Sequence, residues 1–93
     1  MRNATISTAI LEKQLLQFTY ERQLCLVEPH AYGESPDGYD VLRAWQRSPA
    51  PGGWKLFRQD KMTGIVLSDL RFDGPRSDYR RGDKTISHAY AAM

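Results

Sequence analysis

The spacing of apolar residues changes along the chain. Over 3–14, NATISTAILEKQ, the residues Ile6, Ala9 and Ile10 recur at i, i+3, i+4 and predict one short helix. Asn3 stands where an N-cap belongs, and Glu12 and Lys13 face water. The Ser and Thr residues lower intrinsic helix propensity, so packing must hold this segment. From Leu16 the period becomes two. Leu16, Phe18 and Tyr20 alternate with Gln17, Thr19 and Glu21, as in a half-buried strand. Glu21-Arg22-Gln23 is a tight connection, and 24–27 is an apolar strand. Pro29 then stops regular pairing or marks an edge position. Ser35-Pro36-Asp37-Gly38 fits a type I turn. The strand over 39–46 puts Tyr39, Val41, Arg43 and Trp45 on one face and Asp40, Leu42, Ala44 and Gln46 on the other. A loop follows over 48–53, SPAPGG, then a short strand over 54–58 and a turn over 60–64. The last strand, 65–72, puts Val66, Leu70 and Phe72 on one face and Ile65 and Leu67 on the other.

Asp73-Gly74-Pro75 ends that strand. Residues 76–84 are charged, with Tyr79 as their only large apolar group. The end, SHAYAAM, either frays or docks Tyr90 and Met93. Arg80, Arg81 and Lys84 wrap the rest, contact phosphate or hang free, and the pattern leaves these open. One helix and about five short strands with hairpin-length links predict a mainly β fold, a helix followed by a small five-stranded β-barrel. Closure would remove exposed edges. The expected organisation is a single domain over 1–93: helix 3–14, barrel 16–73 and basic C-terminal tail 74–93.

Composition narrows this little. The chain has 93 residues, 41% hydrophobic and 26% charged, which suits one globular domain and argues against a disordered chain. The single Cys excludes an internal disulfide and an all-Cys metal site. No apolar run is long enough for a membrane-crossing helix, and the start lacks the pattern of a signal peptide. The expectation is therefore a soluble, cytoplasmic protein with no membrane partner. Charge is uneven. Residues 1–53 carry five basic and six acidic groups, and 54–93 carry eight basic and five acidic. The second half is net basic, which permits a local cationic patch on a normally solvated surface.

Catalytic constellations are absent from the pattern. His30 and His88 are far apart and form no metal-ligand spacing. No metal, cofactor or catalytic residue is expected. Cys25 lies inside an apolar strand and reads as a small buried hydrophobe rather than a nucleophile paired with His30. Glu28, in an apolar stretch, reads as a structural acceptor or an Arg partner. The binding inventory is richer. His30, Tyr32, Arg43, Trp45, Arg58 and Lys61 come from adjacent strand regions. Rings that stack and guanidinium groups that fork onto phosphate are what a base and a phosphate require. A plainer reading puts Trp45 and Tyr39 in the core and pairs Arg43 with Glu28.

The runs Phe18-Thr19-Tyr20, Val27-Glu28-Pro29-His30, Leu42-Arg43-Ala44-Trp45 and Leu56-Phe57-Arg58-Gln59-Asp60-Lys61-Met62 resemble the WYL-domain family in order and spacing over 6–72. The three letters that name the family fall on Asp40-Val41-Leu42, of which Leu42 alone matches, and Lys61 stands where the family usually has Arg. The resemblance implies an SH3-like or Sm-like five-stranded barrel behind the helix. It also implies a ligand-sensing module for nucleotide or single-stranded nucleic acid, in bacterial transcription regulation or phage defence. By the same resemblance His30, Arg43 and Arg58 lead as ligand-binding residues, with Lys61 beside them and Tyr32 and Trp45 as stacking partners. No stretch is left over for a helix-turn-helix, so the expected role is a free-standing sensor or an accessory subunit. A regulatory protein partner or a homo-oligomer is the alternative, with 48–53 and 76–84 as contact surfaces.

Overall fold

A computed structural model describes residues 2–93; Met1, first residue of the expected domain, lies outside them. The chain forms one helix, α1 (Ala4–Glu12), followed by six strands: β1 (Gln14–Tyr20), β2 (Gln23–Glu34), β3 (Asp40–Ser48), β4 (Gly53–Arg58), β5 (Met62–Arg71) and β6 (His88–Ala92). A single 3-10 turn, Gln59–Lys61, joins β4 to β5. The Asn3 side chain accepts the Ile6 N–H, and Lys13 closes the helix in the left-handed region. Ile6, Ala9 and Ile10 are buried, as their spacing predicts.

The strands form one antiparallel sheet in the order β4-β3-β2-β1-β5, and β6 adds to β2. β2 is the spine. Its first half pairs with β1, from Tyr20↔Gln23 to Leu16↔Val27. Its second half pairs with β6, from Ala31↔Ala92 to Glu34↔His88. β3 runs along its other edge. The expected five-stranded closure is therefore corrected to a six-stranded open sheet, because β4 and β5 share no rung among the described residues. The connection between them is a 3-10 turn rather than a hairpin, so the two end strands never enter register.

Pro29 does not stop β2. It falls between the last β1 rung and the first β6 rung, a position that tolerates a missing N–H. The next residue, His30, is skipped by the β3 register, which steps from Pro29↔Ala44 to Ala31↔Arg43. That extra residue is a bulge, and bulges re-aim side chains. On β5, Ile65 and Leu67 pack against the core, but Val66 and Leu70 are exposed while Phe72 is buried. The expected common face of Val66, Leu70 and Phe72 fails because the β1–β5 register shifts between Leu16↔Leu67 and Gln14↔Arg71.

The core lies between α1 and the inner sheet face. It joins Ile6, Ala9 and Ile10 to Leu16, Phe18, Val27, Leu42 and Phe57, among others. Phe18 and Tyr20 both meet Phe57 edge to face, at 4.9 and 5.0 Å between centroids. The Tyr20 hydroxyl accepts the Arg58 N–H at 3.2 Å, tying β1 to the end of β4. Cys25 is buried, and burial pushes its thiol pKa up.

The β1–β2 hairpin turns on two residues with positive φ, Glu21 at 50° and Arg22 at 68°. Both backbone conformations suit Asn-Gly in this two-residue turn, and neither suits a long side chain. The double variant Glu21→Asn, Arg22→Gly is expected to raise stability by about 1 kcal/mol. Urea unfolding checks it: the midpoint should rise with the slope unchanged.

Candidate functional site

The outer face of β2, β3 and β4 carries a row of rungs: Glu28↔Trp45 and Trp45↔Trp54, then Ala31↔Arg43 and Arg43↔Leu56. Alternation along β3 sends Leu42 and Ala44 inward to the core and Arg43 and Trp45 outward. The segment 73–87 lies across this outer face as a strap, and β6 anchors its far end.

The strap is fastened at three places. Arg76 donates from Nε to Glu28 Oε1 at 2.9 Å and from Nη2 to Oε2 at 3.0 Å. Its guanidinium also stacks over the Trp45 ring, 3.5 Å from the centroid. Arg47 reaches the same buried carboxylate, 2.8 Å from Nε to Oε2. Burial alone would push the Glu28 carboxyl up, but the bonds from Arg76 and Arg47 outweigh it and hold the pKa below its ordinary value.

The second fastening is His30. Its Nδ1 lies 2.8 Å from the Glu28 carbonyl oxygen, and its Nε2 accepts the Arg76 N–H at 3.2 Å. That pair of partners requires the neutral ring with the proton on Nδ1. Trp54 meets the ring edge-on at 4.7 Å, and Tyr79 packs on it at 5.0 Å. Burial pushes the His30 pKa down, against the opposing pull of its bond to the Glu28 carbonyl.

The third fastening is Arg43. Its Nε donates to Asp83 Oδ2 at 2.7 Å and its Nη2 to Thr85 Oγ1 at 3.2 Å. The other Asp83 oxygen accepts from the Thr85 N–H and hydroxyl. Those bonds and the Arg43 guanidinium hold the Asp83 pKa below its ordinary value, although burial opposes them. Nearby, Trp54 Nε1–H donates to Asp78 Oδ2 at 3.1 Å.

Between sheet and strap an open pocket of about 740 Å³ remains. The sheet supplies Arg43 and Trp54 to it, and the strap supplies Tyr79, Arg80, Arg81 and Lys84. Asp78 and Asp83 are its acidic members. Arg81 donates to the Met93 carbonyl oxygen at 3.0 Å. Arg80 and Lys84 are exposed and form no ion pair among the described residues. The pocket thus offers an indole, a phenol ring and cations with unused donors. Among the described residues no three His, Cys, Asp or Glu side chains converge as metal ligands would. No protein-family model, curated protein or solved structure matches this chain.

The six residues singled out in the sequence do not form one site. Arg43 lines the pocket, and His30 lies beneath it against Trp54 and Tyr79. Trp45 shares the sheet face, but its ring is covered by Arg76. Tyr32 is in the core, where its hydroxyl takes the Asn3 N–H and donates to Gln59. Arg58 is one outward position along from Leu56 on β4, but its guanidinium forks onto Asp60 and lies over Tyr39. Lys61 is exposed on the 3-10 turn and is not a lining residue. The expected pairing of Arg43 with Glu28 is also corrected: Arg43 holds Asp83, and Glu28 holds Arg47 and Arg76. The sequence pattern missed Trp54 as a site residue. For Arg80, Arg81 and Lys84 the pattern leaves phosphate contact as one of three open roles, and nothing in it joins them or Tyr79 to Arg43 and Trp54.

Proposed function

We propose that the chain is a WYL-like binding module that takes a nucleotide or single-stranded nucleic acid in the pocket between its sheet and its strap. The supporting observation is the clustering of Arg80, Arg81 and Lys84 around Trp54, with Arg43 on the pocket floor. A base stacks on an indole face, and cations with free donors take phosphates. An SH3-like or Sm-like relationship is part of the same proposal. It rests on a helix followed by five strands in the order β4-β3-β2-β1-β5, with a 3-10 turn between β4 and β5. In this reading the protein senses its ligand and passes the signal on by contact, as a cytoplasmic accessory of regulation or defence.

Fluorescence anisotropy of labelled single-stranded DNA and RNA over a salt series tests it. Saturable binding that weakens with salt is expected. The triple variant Arg80→Ala, Arg81→Ala, Lys84→Ala should weaken binding at least about tenfold and flatten the log–log salt slope by about 2, at roughly 0.7 per lost phosphate contact. Trp54→Ala should weaken binding by about fivefold or more through lost stacking. A folded wild-type protein that binds neither oligonucleotides nor nucleotides at low salt would sink the proposal. So would a triple variant with unchanged affinity.

A further inference from the structure

Asp83 occupies the Arg43 guanidinium as a ligand's anionic group would. The contact is short, 2.7 Å, and half-buried, with the Arg43 and Asp83 side chains 21% and 20% exposed. Arg43 also donates to the Thr85 hydroxyl, so one guanidinium and one hydroxyl hold the Asp83 carboxylate, and Lys84, next in the chain, lines the same pocket. This is an anion site with an internal anion in it. Gly82, at φ 73°, precedes Asp83 and adds backbone freedom there.

An incoming group has to displace that carboxylate, and charge decides whether it can. An internal phosphodiester carries one negative charge, as Asp83 does. Exchanging one for the other gains nothing at Arg43 and releases Asp83 beside Asp78 and the ligand. A phosphate monoester carries roughly −1.5 to −2 at pH 7 and has three acceptor oxygens. It can take the Arg43 fork and the Thr85 hydroxyl together and still reach Lys84.

We propose that the pocket selects a ligand that ends in a phosphate monoester, which replaces Asp83 on Arg43, so that Asp83 acts as a filter against internal phosphodiesters. This rests on the nucleotide-binding reading above and adds a ligand class to it. Two sources share the chemistry, a free nucleoside monophosphate and a phosphorylated strand end.

The test uses single-stranded oligonucleotides labelled at one end and carrying either phosphate or hydroxyl at the other, with adenosine monophosphate and adenosine as competitors. Wild type should bind the phosphate-ended strand about tenfold more tightly than the hydroxyl-ended one. If the monophosphate competes far better than adenosine but strand ends make no difference, the source is the free nucleotide. Asp83→Asn keeps an oxygen for Thr85 but takes the charge off Arg43. It should tighten binding of the hydroxyl-ended strand and shrink the preference to about threefold or less. Arg43→Gln removes the pair from the other side and should abolish the preference, which keeps the test sound if Asp83→Asn unfolds. Equal binding of both strands and equal competition by adenosine monophosphate and adenosine overturns this inference and leaves the binding reading standing. A preference that survives Arg43→Gln overturns it too. No binding of any probe overturns both.

Discussion

Replacing Gly33 by Ala, outside the pocket lining, is expected to detach β6 and open the strap. A Cβ at this position would lie 2.2 Å from the His88 carbonyl oxygen, 2.7 Å from Ile86 Cγ2 and 2.8 Å from Ala89 Cα. Two of those atoms belong to the backbone, so no rotamer change relieves the contact. β6 must move away from β2, and the register Gly33↔Ala89 is lost with it. The bonds that depend on this seat go as well: Ser87 N–H to the Glu34 carbonyl at 2.8 Å, and Met93 N–H to the His30 carbonyl at 2.9 Å. Tyr90 would leave Asp40, whose carboxylate it now bonds strongly enough to push the phenol pKa up to about 12. The expected cost is about 3 kcal/mol, at the upper end for overpacking. For a domain of this size that lowers Tm by more than about 10 °C. Trypsin should then cut first in the strap, at the exposed Arg80, Arg81 and Lys84, once its backbone is no longer fastened to the sheet. Oligonucleotide binding should fall with the strap, because three of the pocket cations ride on it. Unchanged Tm and an unchanged cleavage pattern would mean that β6 does not sit this close to β2.

The same dependence on distant partners explains what the sequence made legible. α1 was readable because its cap and its apolar stripe lie within eight residues, Asn3 to Ile10, whereas its expected end at residue 14 is corrected to Glu12, since Lys13 turns into the left-handed region and Gln14 begins β1. The turn at Ser35–Gly38 was readable for the same reason, and its Gly38 N–H bonds the Ser35 carbonyl at 2.9 Å. β2 was cut short at Pro29 because local rules penalise a strand proline, whereas the gap that tolerates it is created by β1 ending and β6 beginning. β6 itself is five residues of weak pattern whose partner lies more than fifty positions earlier. The site shows the same division. Arg43 was found because it alternates outward on a clear strand. Arg76 and Asp83 read as solvated charges, since nothing near them in the chain reveals Glu28, Trp45 or Arg43 as partners. Trp54 was passed over because its short strand offered no charge pattern to mark its outward ring.

Glu28 joins those long-range contacts to acid stability. Its carboxylate is 2% exposed and accepts three charged hydrogen bonds, one from Arg47 and two from Arg76. Glu28→Ala removes all three. Arg47 and Arg76, both partly exposed, return to water rather than staying buried and unpaired. The expected loss is therefore about 3 kcal/mol, the lower end for breaking a buried pair. The strap also loses Arg76 as its clamp over Trp45. Titration carries the same signature. Glu28 is lowered in the fold, so its stabilisation is present above the ordinary value near 4.3 and is lost as pH falls through the lower folded pKa. His30 is lowered as well, because the fold holds it neutral. Its contribution is present above about 6.5 and is lost as pH falls below that through its own folded pKa. Protonation would put a donor on Nε2 against the Arg76 N–H, with Trp54, Phe72 and Tyr79 around the ring; the Glu28 carboxylate and then Asp78 are the charges that favour it, and the Arg76 guanidinium opposes it. Stability should thus fall in two stages on acidification, the first from His30 and the second from Glu28. In His30→Gln the first stage should vanish, and in Glu28→Ala the second should shrink to what Asp83, also lowered in the fold, still contributes. Chemical denaturation at a series of pH values reads both. A stability that is flat from pH 7 to 4 would contradict the buried neutral imidazole and, with it, the way the strap is fastened to the sheet.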